Sequence, residues 1–194
     1  MSNSVNKKQQ TQKLVLGAIL TALVIILQLM GSFIRFGMFS ISLVLVPIVI
    51  GAALCGYKTG AWLGFVFGVT VILSGDAAAF FAIDIIGTII TVIFKGTLCG
   101  LAAGITYKLL EKYNRYLAVM AAAVVCPVVN TGVFLLGCAV FFLSTIAEWG
   151  AGAGFTNTAS YMFLGLAGGN FIFEMITNII LAPVILRIIN LKNK

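Results

Sequence analysis

Histidine is absent from this chain, and only five of its 194 residues are Asp or Glu. The first absence removes the commonest general base and metal ligand. The second leaves too few carboxylates for an oxygen-lined cation cage. Charged residues amount to 9%, against about a quarter in a soluble domain, so the chain cannot cover a water-facing surface. The motifs of nucleotide and bond hydrolysis are missing as well: there is no G-x-x-x-x-G-K-[ST], no G-x-S-x-G and no H-E-x-x-H. Ser42, Ser74 and Ser160 have no histidine to activate them. The cysteines, Cys55, Cys99, Cys126 and Cys138, form no C-x-x-C pair and read as small apolar packing residues rather than disulfides or zinc ligands. Together these absences argue against an enzyme, a metal site and a bound cofactor.

What is present is apolar sequence, 61% of the chain, and that composition points to the membrane. The net charge of +7 suits nucleic acid in principle. The better reading is that membrane proteins keep excess Lys and Arg in their cytoplasmic loops, and no nucleic-acid partner is expected. The apolar run after Lys13 is too long for a cleavable signal peptide.

A spanning helix needs about 20 apolar residues. Six spans are predicted, over about Leu14–Phe33, Ile41–Leu54, Gly60–Leu73, Asp84–Tyr107, Leu117–Leu143 and Tyr161–Ile189. The second is short. The last two are long enough to expect tilt or a glycine-rich break. The expected architecture is therefore an all-α integral membrane protein with a six-helix domain over 14–189, flanked by short cytoplasmic tails at 1–13 and 190–194. The polar first dozen residues read as a frayed tail. With the N-terminus inside, Lys7, Lys8, Lys13, Lys58, Lys108, Lys112, Arg115, Arg187, Lys192 and Lys194 fall on the inner side. Arg35, Asp76, Asp84 and Glu148 fall outside. That asymmetry predicts an N-in/C-in topology.

Polar residues inside hydrocarbon are costly and mark function by default. The fourth predicted span carries Asp84, Thr88, Thr91 and Lys95 on one helical face. The sixth carries Asn170, Glu174, Thr177 and Asn178, and the fifth carries Asn130 and Thr131 just after Pro127. With a rise of ~1.5 Å per residue, Lys95 lies ~16 Å below the outer end of its span, and Glu174 and Asn130 ~20 Å below theirs. One reading makes Lys95 and Glu174 a buried ion pair that joins helices. The other makes these residues the lining of a water-accessible pocket for a polar small molecule, with Thr88, Thr91 and Asn170 above them and the aromatics Phe80, Phe81, Trp149, Phe155 and Tyr161 near its mouth. Glycines 60, 64 and 68 recur every four residues, as do Ala18 and Ala22. Small-xxx-small faces let helices approach closely. The glycines suit internal packing, while Ala18 and Ala22 suit either packing or a docking face. Gly165, Gly168 and Gly169 are placed to break the sixth span just before Asn170.

Several stretches resemble the S components, the substrate-binding subunits of energy-coupling factor (ECF) vitamin transporters. They are Lys13 through Ala18-Ile-Leu-Thr-Ala22, then Leu45-Val-Pro47-Ile-Val-Ile-Gly51-Ala, Gly56-Tyr-Lys-Thr-Gly60 and Gly64-Phe-Val-Phe-Gly68. The P-I-V-I-G-A run with its spaced glycines resembles the pantothenate and riboflavin group. It departs from many relatives at Gly56, which is followed by Tyr57 rather than Pro.

The resemblance implies a multi-pass protein of a bacterial cell membrane that captures a water-soluble vitamin from outside. The pocket would lie in the outer halves of helices four to six under the first outer loop. It also implies docking through an A-x-x-x-A face, matched by Ala18 and Ala22, onto a transmembrane coupling subunit driven by two ATPases. In that setting Lys95 would meet a carboxylate or ring carbonyl, and Asn130, Asn170 and Glu174 would bond the rest. Pantothenate suits the cation, and riboflavin suits the aromatic loops. The competing reading is a stand-alone, proton-coupled carrier that uses Lys95 and Glu174 as its relay.

Overall fold

The computed structural model describes residues 2–32, 35–36, 39–40 and 43–192. Phe33, Ile41, Ser42 and Lys194, which the sequence reading uses for span ends and charge placement, lie outside the described residues. The elements are α1 (Ser2–Ser32), β1 (Arg35–Phe36), β2 (Phe39–Ser40), α2 (Leu45–Cys55), α3 (Tyr57–Ser74), α4 (Ala78–Phe81), α5 (Ile85–Leu110), α6 (Arg115–Phe141), α7 (Leu143–Gly152), α8 (Thr158–Ser160), a π-helical turn (Tyr161–Leu166) and α9 (Gly168–Lys192). The two strands form one small antiparallel ribbon, with Arg35 opposite Ser40.

Five of these helices are long and apolar enough to cross a membrane: α1, α3, α5, α6 and α9. The second predicted span is the 11-residue α2, ~16 Å long, short of the ~30 Å hydrocarbon core. α1 begins at Ser2 rather than after a frayed dozen residues. No Gly or Pro precedes Gly17, and the Lys and Gln of this stretch are good helix formers.

Local chemistry sets the boundaries. Gly56, at φ +98°, is the only residue between α2 and α3. A left-handed φ is open to glycine, so the chain reverses in one step and Tyr57 begins α3. Asp84 is not part of the span but its cap, its carboxylate accepting from the Ile86 amide at 3.0 Å. Asn114 caps α6 in the same way through the Tyr116 amide at 2.8 Å. The expected glycine break in the last span is present: the π turn ends at Leu166 and α9 starts at Gly168.

The most extensive packing joins α3 to α5 and α5 to α6. On the α3–α5 seam, Gly60 faces the Gly100 carbonyl and Gly64 faces that of Gly96. Gly68 faces the Val92 carbonyl, 2.8 Å from where a Cβ would stand. The main core gathers Leu20, Val24, Ile48, Leu63, Phe67, Ala103, Ala122 and Ile185. A second apolar cluster of Phe80, Cys138, Phe142, Ile146, Tyr161, Met162 and Leu166 sits at the end where α3 gives way to α5. Many large apolar side chains point outward, among them Leu14, Trp62, Phe94, Leu136 and Ile180. That distribution suits a lipid solvent, which removes the penalty for exposing them.

Candidate functional site

A cavity opens between α1, α3, α5, α6 and α9, with about 710 Å³ of empty space when its open mouth is included. Its polar lining is Gln28, Asp76, Lys95, Asn130, Thr131, Asn170 and Glu174, and its walls include Phe67, Phe80 and Phe134. Four of the six residues singled out as substrate contacts thus share one cavity: Lys95, Asn130, Asn170 and Glu174. Helix geometry explains the convergence. Lys95 projects from the upper middle of α5, Asn130 follows Pro127 on α6, and Asn170 and Glu174 stand one turn apart at the start of α9.

The Glu174 carboxylate, buried to 1% exposure, is clamped by two amides. Asn130 Nδ2 donates to Oε2 at 3.2 Å and Asn170 Nδ2 donates to Oε1 at 3.0 Å. Asn178 Nδ2 donates to the Glu174 carbonyl at 2.9 Å, closing that turn of α9. Lys95 is half-buried. Its Nζ stands over two rings, 5.6 Å from the centroid of Phe67 and 5.3 Å from that of Phe134, within range of a cation–π attraction. Among the described residues no ion pair within 4.0 Å joins Lys95 to Glu174. The buried-pair reading therefore does not describe their geometry: the ammonium and the carboxylate line one space without closing it.

Thr88 and Thr91 are placed elsewhere. Both are buried and neither lines the cavity. Thr88 Oγ1 donates to the Asp84 carbonyl at 2.6 Å. Thr91 lies against Gly137 of α6, where a Cβ would overlap its side chain. The two helices also close at Gly87, where a Cβ would stand 2.8 Å from Phe141 Cβ. The face shared by Thr88, Thr91 and Lys95 is real, but α6 covers its upper part and leaves only Lys95 open.

Of the expected aromatic cover, Phe80 lines the cavity. Its ring meets Phe134, Phe142 and Trp149 at centroid distances of 5.7, 5.1 and 5.7 Å. Phe155 and Tyr161 meet edge to face at 5.3 Å. Among the lining residues that escaped the sequence reading are Gln28, Asp76, Phe67 and Phe134. Gln28 is a lone amide in the apolar run of α1, and the cost of polar groups in hydrocarbon was a signal for it. The charge asymmetry places Asp76 on the outer side without marking it as a pocket residue. Its carboxylate accepts from Gln28 Nε2 at 2.6 Å, which ties the turn after α3 to α1.

Ala18 and Ala22 are exposed on α1. Next to them Thr21 Oγ1 accepts from Trp62 Nε1 at 3.2 Å, which fixes α1 against α3. The alanines are therefore on the open side of that contact.

Fold and cavity together define a helical membrane protein with a polar chamber between its helices. The chain matches the family "ECF transporter, substrate-specific component" over residues 12–186 and belongs to it. It is thus the substrate-binding membrane component of an energy-coupling factor importer, a binder of a small molecule rather than an enzyme, working with coupling and ATPase partners. No curated protein and no solved structure shows a significant match to the chain.

Proposed function

We propose that this S component captures a neutral, ring-containing water-soluble vitamin, with riboflavin favoured over pantothenate, in the cavity around Lys95. Charge decides between the two. The lining carries one cation, Lys95, against two carboxylates, Asp76 and Glu174. A carboxylate ligand would join two acidic side chains in a space where buried groups are screened weakly from one another. A neutral flavin ring avoids that penalty. Its carbonyls accept from Lys95, and its faces meet Phe67, Phe80 and Phe134. The amides of Asn130 and Asn170 hold Glu174 in place as an acceptor for a ring N–H.

The observation that carries this reading is the Lys95 ammonium, held over two phenyl rings in an open cavity and not closed off by Glu174. Topology is part of the proposal. Counting α2 as a short sixth crossing keeps both termini cytoplasmic, with Lys13, Lys58, Lys108, Lys112 and Arg115 at the inner end and Asp76, Asp84 and Glu148 at the outer end. The cavity mouth then faces outward. Exposed Ala18 and Ala22 remain for the coupling subunit, with residues 1–13 and 190–194 on the cytoplasmic side. Family membership favours this coupled route over a proton-driven carrier that works alone.

The test is a titration of the purified protein with riboflavin, read by quenching of flavin fluorescence, beside pantothenate read by thermal shift. Riboflavin at a hundredfold excess over its Kd should add about 2.7 kcal/mol to stability by mass action. Lys95→Met should weaken riboflavin by about tenfold or more, as expected for losing a hydrogen bond from a charged donor. Unchanged affinity in that variant, or preference for pantothenate, would overturn the assignment.

A further inference from the structure

Among the described residues, five of the seven polar side chains that line the cavity are bonded to one another. Gln28 Nε2 donates to the Asp76 carboxylate at 2.6 Å, and Asn130 and Asn170 donate to Glu174 at 3.2 and 3.0 Å. A ligand that takes one of these groups must displace or share a bond already made, so it gains only the difference. Two side chains stand outside both networks. One is Lys95, whose ammonium lies over the rings of Phe67 and Phe134. The other is Thr131, half-buried on α6, whose hydroxyl makes no hydrogen bond among the described residues.

A threonine inside a helix commonly turns its hydroxyl back onto the carbonyl four residues earlier. Thr21, Thr70 and Thr88 do so here, onto Gly17, Val66 and Asp84 at 2.8, 2.8 and 2.6 Å. The matching acceptor for Thr131 is the Pro127 carbonyl, and that bond is not formed. The Thr131 hydroxyl therefore keeps its O–H as well as its lone pairs. Thr131 shares a face of α6 with Phe134, three residues on, and Lys95 Nζ lies 5.3 Å from the centroid of that ring. Phe134 thus neighbours both of the uncommitted groups.

We infer that Thr131 is a specificity-determining contact: its hydroxyl donates to one acceptor of the ligand ring while Lys95 serves another. This inference rests on the flavin reading above and adds a demand to it, that the ligand present two acceptors to this wall of the cavity. The hydroxyl acts as donor because a neutral flavin ring offers several acceptors, its carbonyl oxygens and ring nitrogens, against a single N–H, which Glu174 takes.

The experiment titrates riboflavin into the unaltered protein, Thr131→Val and Thr131→Ser, and melts each without ligand. Valine keeps the shape and removes the hydroxyl. Riboflavin should bind Thr131→Val about three- to tenfold more weakly, the range of a neutral hydrogen bond, and Thr131→Ser within about twofold of the unaltered protein. Ligand-free Thr131→Val should melt no lower than the unaltered protein, since the hydroxyl bonds nothing until the ligand arrives. Thioriboflavins and deazariboflavins, in which one ring acceptor at a time is weakened to sulfur or replaced by C–H, identify the contact from the ligand side. At least one of them should be discriminated from riboflavin by the unaltered protein and not by Thr131→Val. Unchanged riboflavin affinity in Thr131→Val, a lowered ligand-free melting temperature that accompanies the loss, or equal discrimination by both chains against every analogue would overturn the inference and leave the flavin reading intact. Failure of the unaltered protein to bind riboflavin would sink that reading and this inference with it.

Discussion

Replacing Gly64 with alanine tests the seam on which the site is built. A Cβ on Gly64 would stand 2.7 Å from the Gly96 carbonyl carbon and nearer still to its oxygen. Ordinary carbon–carbon contacts lie at about 3.5–4.0 Å, so α3 and α5 must part by roughly 1 Å at that level. The neighbour is backbone, which cannot rotate away as a side chain can. The same seam is closed at Gly60 against Gly100 and at Gly68 against Val92, so the strain spreads over several turns. Overpacking of this kind costs about 1–3 kcal/mol, or a fall of about 2–12 °C in melting temperature for a chain of this size. The proper reference is Gly132→Ala on α6. Gly132 is also helical, but a Cβ there meets nothing within 4 Å, so the variant reports the gain in helix propensity alone. Phe67 follows Gly64 by one turn, and Lys95 directly precedes Gly96, so the same shift should open the Phe67–Lys95 contact and weaken riboflavin by about tenfold. Melting in detergent and flavin titration read the two effects separately. If Gly64→Ala melts with Gly132→Ala, the tight seam is not what sets the spacing of these helices.

Two further outcomes follow from the same geometry. Glu174→Gln leaves a single oxygen where Asn130 and Asn170 each need an acceptor, so one amide loses its partner; ligand-free stability should drop by about 1–3 kcal/mol, Asn130→Asp in the same chain should recover part of it, and unchanged melting would show that the clamp carries no stability. Ala18→Leu or Ala22→Leu should leave flavin binding unchanged, since both side chains are exposed on α1, yet abolish co-purification with the coupling subunit by blocking close helix approach; retained co-purification would remove these alanines from the docking face.

Much of the fold was legible because in a membrane the solvent imposes one rule: a run of about 20 apolar residues must become a helix. α1, α3, α5, α6 and α9 obey it. The exceptions are places where tertiary structure relieves the rule. α2 is shorter than the hydrocarbon core is thick, and it packs against α1, α3, α5, α6 and α9, so neighbours rather than lipid surround its backbone. The polar residues of α1 near Lys7 and Lys8 carried no apolar periodicity, yet their helix propensity continues the helix to Ser2. Gly56 followed by Tyr57 looked like a departure from a Gly-Pro turn. The positive φ at Gly56 shows that glycine alone supplies the reversal, so Pro is not needed after it.

The site divides along the same line. Lys95, Asn130 and Glu174 sit in the middle of apolar runs, so their depth follows from counting residues, and three such groups at similar depth on neighbouring helices meet in one cavity. Thr88 and Thr91 passed the same periodicity test and still face α6, because Gly137 and Gly87 let that helix close over them. Which part of a polar face stays open is decided by the partner helix, and the face itself does not record it. Asp76 is the opposite case. A carboxylate in a turn carries no depth of its own, and it reaches the cavity because the turn after α3 folds back and Gln28 holds it there at 2.6 Å. Gln28 was the visible half of that pair: a lone amide in the apolar run of α1 must bond to something, and its partner had to come from a segment whose depth the sequence leaves open.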